Sequence, residues 1–175
     1  MSESKDVVQE KRSFCVHPAI IKTLINEQSG SLIKAITELV MNAIDAGATR
    51  IDISISESGE FSISDNGKGF INRFEIEQFF ETFGTPHSES DAKFGKFRIG
   101  RGQIMSFAKT VWRSGNFRME VDLDSENDFF GYKLTEEPTT QIGCHIAGHV
   151  YKFDSWEYRK IVGYNKSKID SEFSN

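Results

Sequence analysis

The sequence predicts an α+β two-layer sandwich, in which a β-sheet packs against helices. Two observations lead to this fold class: helices and strands are interleaved in the first half of the chain, and the second half is rich in strands. The length of 175 residues favours one domain. A domain near this length hides roughly two-thirds of its unfolded surface, so the chain can build a core of its own.

The first half of the chain contains two helices and a hairpin, after a polar N-terminus at 1–12 that we expect to be flexible. Apolar residues recur at helical spacing over 18–29. Ser31 is a suitable N-cap for a second helix that extends to about Ala46, and Gly47 follows in the preferred stop position. Alternation then predicts a β-hairpin, whose inward-facing residues are Ile51, Ile53, Ile55, Phe61 and Ile63.

The second half begins with a helix near 73–80. An irregular stretch at 82–101 follows, rich in glycine and charge, and such stretches are commonly lids or binding loops. We expect a helix from Gly102 to about Ala108, and then strands separated by turns at 125–127 and 136–138. These strands are 117–123, 129–134 and 142–151. A short helix at 155–162 and a polar tail at 166–175 complete the chain.

Composition narrows the classes of function. The formal net charge is −5, which argues against a dedicated nucleic-acid or anionic-membrane binder, because such proteins need a basic face. Cys15 and Cys144 lie far apart without a CxxC pattern, so two reduced thiols are the simplest interpretation. No apolar run indicates a secretory signal or a membrane span. We therefore expect a cytoplasmic protein with no membrane partner.

The first motif lies on the second helix. Glu38, Asn42 and Asp45 fall within about 40° of one another around the helix axis. This stripe can be the solvated seam of a mostly buried helix. Alternatively, it offers a carboxylate that can deprotonate water and an amide oxygen suited to Mg²⁺.

The second motif is the run Asp65-Asn66-Gly67-Lys68-Gly69 at the end of a strand. Asn and Gly are common in turns, so a simple strand-to-helix turn explains it. The functional interpretation is that Asp65 accepts a hydrogen bond from a ligand amine such as that of adenine. Gly67 and Gly69 would then let the ligand approach the backbone closely.

The third motif is a glycine-rich loop that leads into a helix, at 95–106. Backbone amides at a helix start and the helix dipole attract anions. The basic residues Lys96, Arg98 and Arg101 add positive charge. The spacing fits neither a P-loop nor a dinucleotide-binding fingerprint, and a flexible basic loop is the alternative.

Together the three motifs resemble those of the GHKL superfamily of ATPases, which includes gyrase B subunits, heat-shock 90-type chaperones, histidine kinases and MutL proteins. Glu38-xxx-Asn42-xx-Asp45-Ala46 resembles the N box, and Asp65-x-Gly67-x-Gly69 resembles the first glycine box. Gly95…Gly100-x-Gly102 resembles the second. The resemblance covers residues 14–150 and implies the Bergerat fold, a mixed β-sheet covered on one face by helices. The ATP-binding domain would span 13–165, with an ATP lid at about 70–101.

The resemblance also implies roles for individual residues. Glu38 would be the general base for the attacking water and Asn42 the ligand of Mg²⁺, with Asp45 as a supporting partner. Asp65 would bind the adenine amine, with Gly67 and Gly69 shaping the adenine wall. The phosphates would meet Lys96 and the backbone donors of Gly100, Arg101, Gly102 and Gln103.

One departure from the family pattern concerns adenine. The family usually has a Gly-Thr pair on a late strand, and here Gly143-Cys144 occupies the matching place. A thiol is a weaker hydrogen-bonding group than a hydroxyl. Thr139 or Thr140 takes this role if the register differs.

The function implied by the resemblance is Mg²⁺-dependent ATP binding with slow hydrolysis, which drives lid closure and dimerisation. The partners would be ATP and, through the lid, a second copy or another protein; nucleic acid is not indicated. Hydrolysis would be weak in isolation, because no domain after Asn175 supplies the lysine that related ATPases use. The alternatives are a nucleotide-sensing domain without turnover and a histidine-kinase-type phosphotransfer domain. Glu38 favours hydrolysis over sensing, and His17 beside Pro18 is a poor phosphoacceptor.

Overall fold

The computed structural model of the protein describes residues 13, 15, 17, 19–28, 30–83, 100–124, 131–155 and 158–162. Helices and strands are interleaved in the first half of the chain, and strands dominate the second half, as predicted. The elements are α1 (Ala19–Gln28), α2 (Leu32–Asp45), β1 (Ile51–Ile55), β2 (Glu60–Asp65), α3 (Arg73–Ile76), a π-helical turn (Glu77–Glu81), α4 (Gly100–Phe107), β3 (Ala108–Val121) and β4 (Tyr132–Val150). Residues 158–162 are also helical.

The four strands form one sheet in the order β1-β2-β4-β3. Ile63 of β2 and Trp112 of β3 both pair with Ile146 of β4, so the centre of the sheet is apolar. This face packs against Leu39 of α2 and Ile104 of α4 in one core cluster. The predicted two-layer sandwich is therefore confirmed. All strand pairs among the described residues are antiparallel, whereas the resemblance implies a mixed sheet.

Helix α2 begins and ends at the predicted signals. The Ser31 hydroxyl oxygen accepts a hydrogen bond from the Lys34 amide, and Gly47 has a φ of 78° just past the last turn. One side of the helix is buried in the core by Leu32, Ala35, Leu39 and Ala43. Because this side lies in the core, the polar stripe of α2 lies along the flank of the helix.

The boundaries in the second half differ from the prediction. Helix α4 begins at Gly100 rather than Gly102, and Ala108 already belongs to β3. The early part of β3 escaped prediction because its inward positions hold small or polar residues as well as Trp112, which hides the alternation.

The predicted turn at 136–138 is also wrong, because β4 runs unbroken through it. The turn-forming residues are accommodated by a register shift against β3 between Gly115 and Phe117. A strand pair can absorb extra residues on one strand as a bulge without ending.

Smaller differences concern single elements. The helix predicted at 73–80 is a short α-helix followed by a π-helical turn. Of the helix predicted at 155–162, residues 158–162 are helical and residue 155 is not, while 156–157 lie outside the described residues. Ile53 is 47% exposed, since β1 is at the edge of the sheet. Within the described ranges, no helix is long and apolar enough to cross a membrane. The predicted flexible N-terminus, the polar tail and residues 84–99 of the predicted lid lie outside the described residues.

A bulge in β4 brings that strand unusually close to the end of β2. Gly143 has a φ of 71°, and a Cβ at this position would overlap the Asp65 carbonyl oxygen and lie 2.7 Å from its carbon. Both the backbone conformation and the contact therefore require glycine.

Substitution of Gly143 by alanine tests this close approach, with Gly47→Ala as the matched control. Gly47 also has a positive φ, but nothing lies within 4 Å of its missing Cβ. We expect Gly47→Ala to lower the free energy of unfolding by about 1 kcal/mol, through backbone strain alone. Gly143→Ala adds an overlap with backbone and should cost about 3 kcal/mol or more. Urea denaturation measures both, and equal losses would contradict the account.

Candidate functional site

The flank of α2 that carries the first motif meets the start of α4. Glu38 is half-buried, whereas Asn42 and Asp45 are exposed. A Cβ at Gly100 would lie 2.6 Å from the Glu38 carboxylate oxygen Oε2. The structure thus brings together the first and third sequence motifs.

The first turn of α4 contains the predicted backbone donors. Gly100, Arg101, Gly102 and Gln103 occupy its first four positions. The amides at the first positions of a helix have no partner within the helix, and the dipole adds a partial positive charge there. This end of α4 can therefore bind an anion beside the Glu38 carboxylate.

The second motif is fixed to the other end of α2. The Asp65 oxygen Oδ1 accepts hydrogen bonds from the backbone amides of Gly67 (2.8 Å) and Cys144 (3.3 Å). The Lys68 amide donates to the carbonyl oxygen of Ala46 (2.9 Å), just after the last residue of α2. A Cβ at Gly67 would lie 3.0 Å from that same carbonyl oxygen. Asp65 is therefore held in one orientation between α2 and β4.

The side chain of Arg101, whose charge we expect at the phosphates, bonds to the backbone at the end of the π-helical turn. Its guanidinium is buried and donates from Nε to the Phe80 carbonyl oxygen (3.0 Å) and from Nη2 to that of Thr82. Its Cζ lies 4.4 Å from the centre of the Phe83 ring. The described hydrogen bonds of the Arg101 guanidinium therefore end on backbone carbonyl oxygens, and the roles of its charge and its backbone amide at the phosphates stay predictions. Lys96 and Arg98 lie outside the described residues.

Comparison with known protein families agrees with this arrangement. The family described as histidine kinase-, DNA gyrase B-, and HSP90-like ATPase matches residues 30–118, just over half of the chain. The chain belongs to this family. The resemblance to the GHKL superfamily, read from the three motifs, is thereby confirmed.

This GHKL chain is similar to one curated MutL protein and to two solved structures. A DNA mismatch repair protein MutL of Pediococcus pentosaceus is 41% identical over 76 residues, which are 42% of this chain and 11% of that protein. The Aquifex aeolicus MutL ATPase domain complexed with ADP is 22% identical, with a TM-score of 0.44, over 68% of this chain and 42% of that chain.

A second solved structure, the N-terminal domain of a DNA repair protein, is 21% identical with a TM-score of 0.47, over 74% of this chain and 38% of that chain. The GHKL chain thus spans about one-tenth of the curated MutL relative and about two-fifths of each of these solved chains.

Within the GHKL site, the late-strand residue that departs from the family pattern is Cys144. Its amide reaches Asp65, which places this residue at the predicted adenine end. The side chains of Thr139 and Thr140 lie outside the described residues. Cys144 as a whole residue is partly accessible, but burial of its thiol raises the pKa, and the Asp65 carboxylate raises it further.

A residue that sequence reasoning missed is Ser114 of β3. It is fully buried, accepts a hydrogen bond from the Phe70 amide (2.7 Å) and donates one to the Gly143 carbonyl oxygen (2.8 Å). It thereby fastens the loop after Gly69 to the bulge in β4. The sequence carried no signal for it, because Ser114 lies in the early part of β3, where small and polar inward residues hide the alternation.

The two cysteines give a direct test of the surroundings of Cys144. A raised pKa leaves less thiolate at any given pH, and thiolate is the form that reacts. In Cys15→Ser and Cys144→Ser variants, which each keep one thiol, we expect iodoacetamide at pH 8 to alkylate Cys144 at least tenfold more slowly than the exposed Cys15. Similar rates, followed by mass spectrometry of the folded proteins, would show that the thiol is not buried beside Asp65.

Proposed function

We propose that this GHKL domain binds ATP with Mg²⁺ and hydrolyses it slowly. The observation that carries the proposal is the contact between the Glu38 carboxylate and Gly100 at the start of α4. It sets a group able to take a proton from water beside backbone donors able to bind phosphate.

Asp65 supports the adenine end of the proposed site. Both described hydrogen bonds from the backbone end on Oδ1, so Oδ2 can accept from the exocyclic amine of adenine. Guanine has a carbonyl oxygen at that place, which would face the carboxylate unfavourably. Gly69 and Gly143 add no side chain to this wall of the site.

The first turn of α4 supports the phosphate end. Its backbone amides can bind the terminal phosphate and stabilise the charge that grows as the phosphoryl group leaves. Glu38, whose carboxylate oxygen Oε2 lies beside Gly100, would take the proton of the attacking water. Arrangement of the two groups by rigid helices provides the orientation that such a reaction needs.

The residues present also suit Mg²⁺. Asn42 is exposed on α2 one turn after Glu38, and its amide oxygen is a hard ligand. No group of three or more acidic, histidine or cysteine side chains suited to a metal occurs among the described residues. Mg²⁺ needs no such group when phosphate oxygens and water complete its coordination, and when bound it neutralises phosphate charge. Asn42 would hold it.

Two further parts of the proposal rest on the family resemblance. They are closure of the lid over the nucleotide and dimerisation or another protein contact through the lid. Residues 84–99 of the predicted lid lie outside the described residues. The domain limits at 13–165 and the cytoplasmic location likewise remain predictions.

The alternative is a nucleotide-sensing domain that does not turn over ATP. A sensor has no need of a carboxylate against the phosphate-binding end of α4, so the position of Glu38 favours hydrolysis. The histidine-kinase alternative is weaker, because that class needs its phosphoaccepting histidine on a helix, and His17 lies before the first residue of α1.

The adenine end is tested by nucleotide selectivity. We expect calorimetry to show ATP binding and no comparable GTP binding. Asp65→Asn keeps an oxygen for the amides of Gly67 and Cys144, but turns an NH₂ group toward the adenine amine. It should therefore weaken ATP binding roughly 10- to 100-fold while the fold is kept. Equal affinity of the wild-type protein for ATP and GTP would contradict this role of Asp65.

Glu38 and Asn42 should separate chemistry from binding. A general base acts in the transition state, so Glu38→Ala should keep ATP affinity within a few-fold and reduce phosphate release roughly 100-fold. Asn42→Ala removes a ligand used in both states and should weaken Mg²⁺-ATP binding itself. The readouts are calorimetry and single-turnover phosphate release. Equal loss of binding in both variants would make Glu38 structural, and no phosphate release by the wild type would favour the sensor.

A further inference from the structure

Arg101 connects the start of α4 to the segment 80–83. Two of its guanidinium nitrogens donate to the carbonyl oxygens of Phe80 and Thr82, and the group lies over the Phe83 ring. Arg101 as a whole residue is 8% exposed. Hydrogen bonds from a charged donor in such surroundings are among the stronger ones in proteins.

The segment that Arg101 holds is itself anchored at one end. The Phe80 ring packs edge-on against Trp112 of β3 (5.3 Å between centroids) and Tyr132 of β4 (5.0 Å). Through Phe80, the guanidinium ties the first turn of α4 to the sheet. Gly102 adds a contact in the same place, since a Cβ there would lie 2.8 Å from the Phe83 ring.

Packing does not enclose this segment on every side. An apolar pocket of about 250 Å³, open to solvent, lies against it, and its lining includes Ile25, Phe80, Phe83 and Met105. In sequence, residues 84–99 separate the two ends that Arg101 joins, and bringing such ends together costs chain entropy. The hydrogen bonds of Arg101 therefore matter more here than in a fully packed site.

We infer that Arg101 is a positioning residue for hydrolysis, which holds Gly100 and the α4 amides at the correct distance from Glu38. This inference rests on the proposed function for its effect on the reaction, but the contacts of Arg101 exist without nucleotide. It assigns the Arg101 charge to backbone carbonyls rather than to phosphate. Lysine separates the two assignments, because it keeps the charge but cannot bridge two carbonyls as a planar group stacked on Phe83.

The first test uses the protein without nucleotide. Hydrogen exchange compares the wild type with Arg101→Lys and Arg101→Met, and the exposed Arg159 supplies matched Lys and Met controls. We expect both Arg101 variants to raise exchange roughly tenfold or more at 80–83 and 100–104, with 108–114 unchanged. The Arg159 variants should exchange like the wild type. Wild-type exchange in Arg101→Lys would overturn the inference.

If the Arg101 variants lose protection from hydrogen exchange throughout the core, they no longer report on one segment. A second variant is then used. Phe83→Leu keeps Arg101 and removes the ring beneath the guanidinium, which also lies beside Gly102. It should raise exchange at 100–104 by several-fold, and no local rise would overturn the inference.

The second test measures ATP turnover. If Arg101 positions α4, Arg101→Lys should lower kcat at least tenfold with a smaller change in KM, and lysine should rescue little of what methionine loses. If Arg101 binds phosphate instead, the loss should lie mainly in KM and lysine should restore most of it, which would overturn the inference. An inactive wild type would count against the proposed function alone, because the exchange test uses no nucleotide and still decides the role of Arg101.

Discussion

The candidate site depends on the close approach of β4 to the end of β2. Gly143 leaves no side chain between the two strands, and Ser114 holds the bulge by its carbonyl oxygen. This approach lets the Cys144 amide reach Asp65 Oδ1, which fixes the orientation of the carboxylate. A wider separation of the strands would leave Asp65 with one backbone donor and more freedom to rotate. Selectivity for adenine in the proposed function therefore starts from a backbone constraint.

Helix α2 then sets the distance between the two ends of the site. Glu38 meets the start of α4, and Ala46 accepts from the Lys68 amide beside the first glycine box. Eight residues of helix correspond to about 12 Å at 1.5 Å per residue. One rigid element thus holds the proposed base and the proposed adenine-binding carboxylate at a fixed separation, and the buried side of α2 packs in the core.

Local signals made much of this fold predictable from the sequence. The N-cap at Ser31, the stop at Gly47 and the alternation around Ile53 each depend on neighbours in sequence. The three motifs indicated the family for the same reason, since each lies within a short run of residues. The long strand β3 was not predictable in full, because serine and threonine occupy inward positions where only tertiary contacts satisfy them.

The contacts that escaped prediction join residues far apart in sequence. Ser114 bonds to Phe70 and Gly143, and the orientation of Arg101 follows from carbonyl oxygens about 20 residues earlier. A basic residue in a glycine-rich loop suggests phosphate binding by composition alone, and only the fold shows that the Arg101 guanidinium bonds to carbonyl oxygens. The contact between Glu38 and Gly100 also joins residues far apart in sequence, so the spacing of residues within a motif could not predict it.

That contact gives the most direct test of the account. In Gly100→Ala, the new methyl group would lie 2.6 Å from Glu38 Oε2, so the flexible carboxylate must move while the backbone amides stay in place. The account predicts an unfolding free energy within about 1 kcal/mol of the wild type, since alanine suits a helix. It also predicts ATP affinity within a few-fold and phosphate release at least roughly tenfold slower. Wild-type phosphate release from the folded variant would contradict the claim that Glu38 acts at the start of α4.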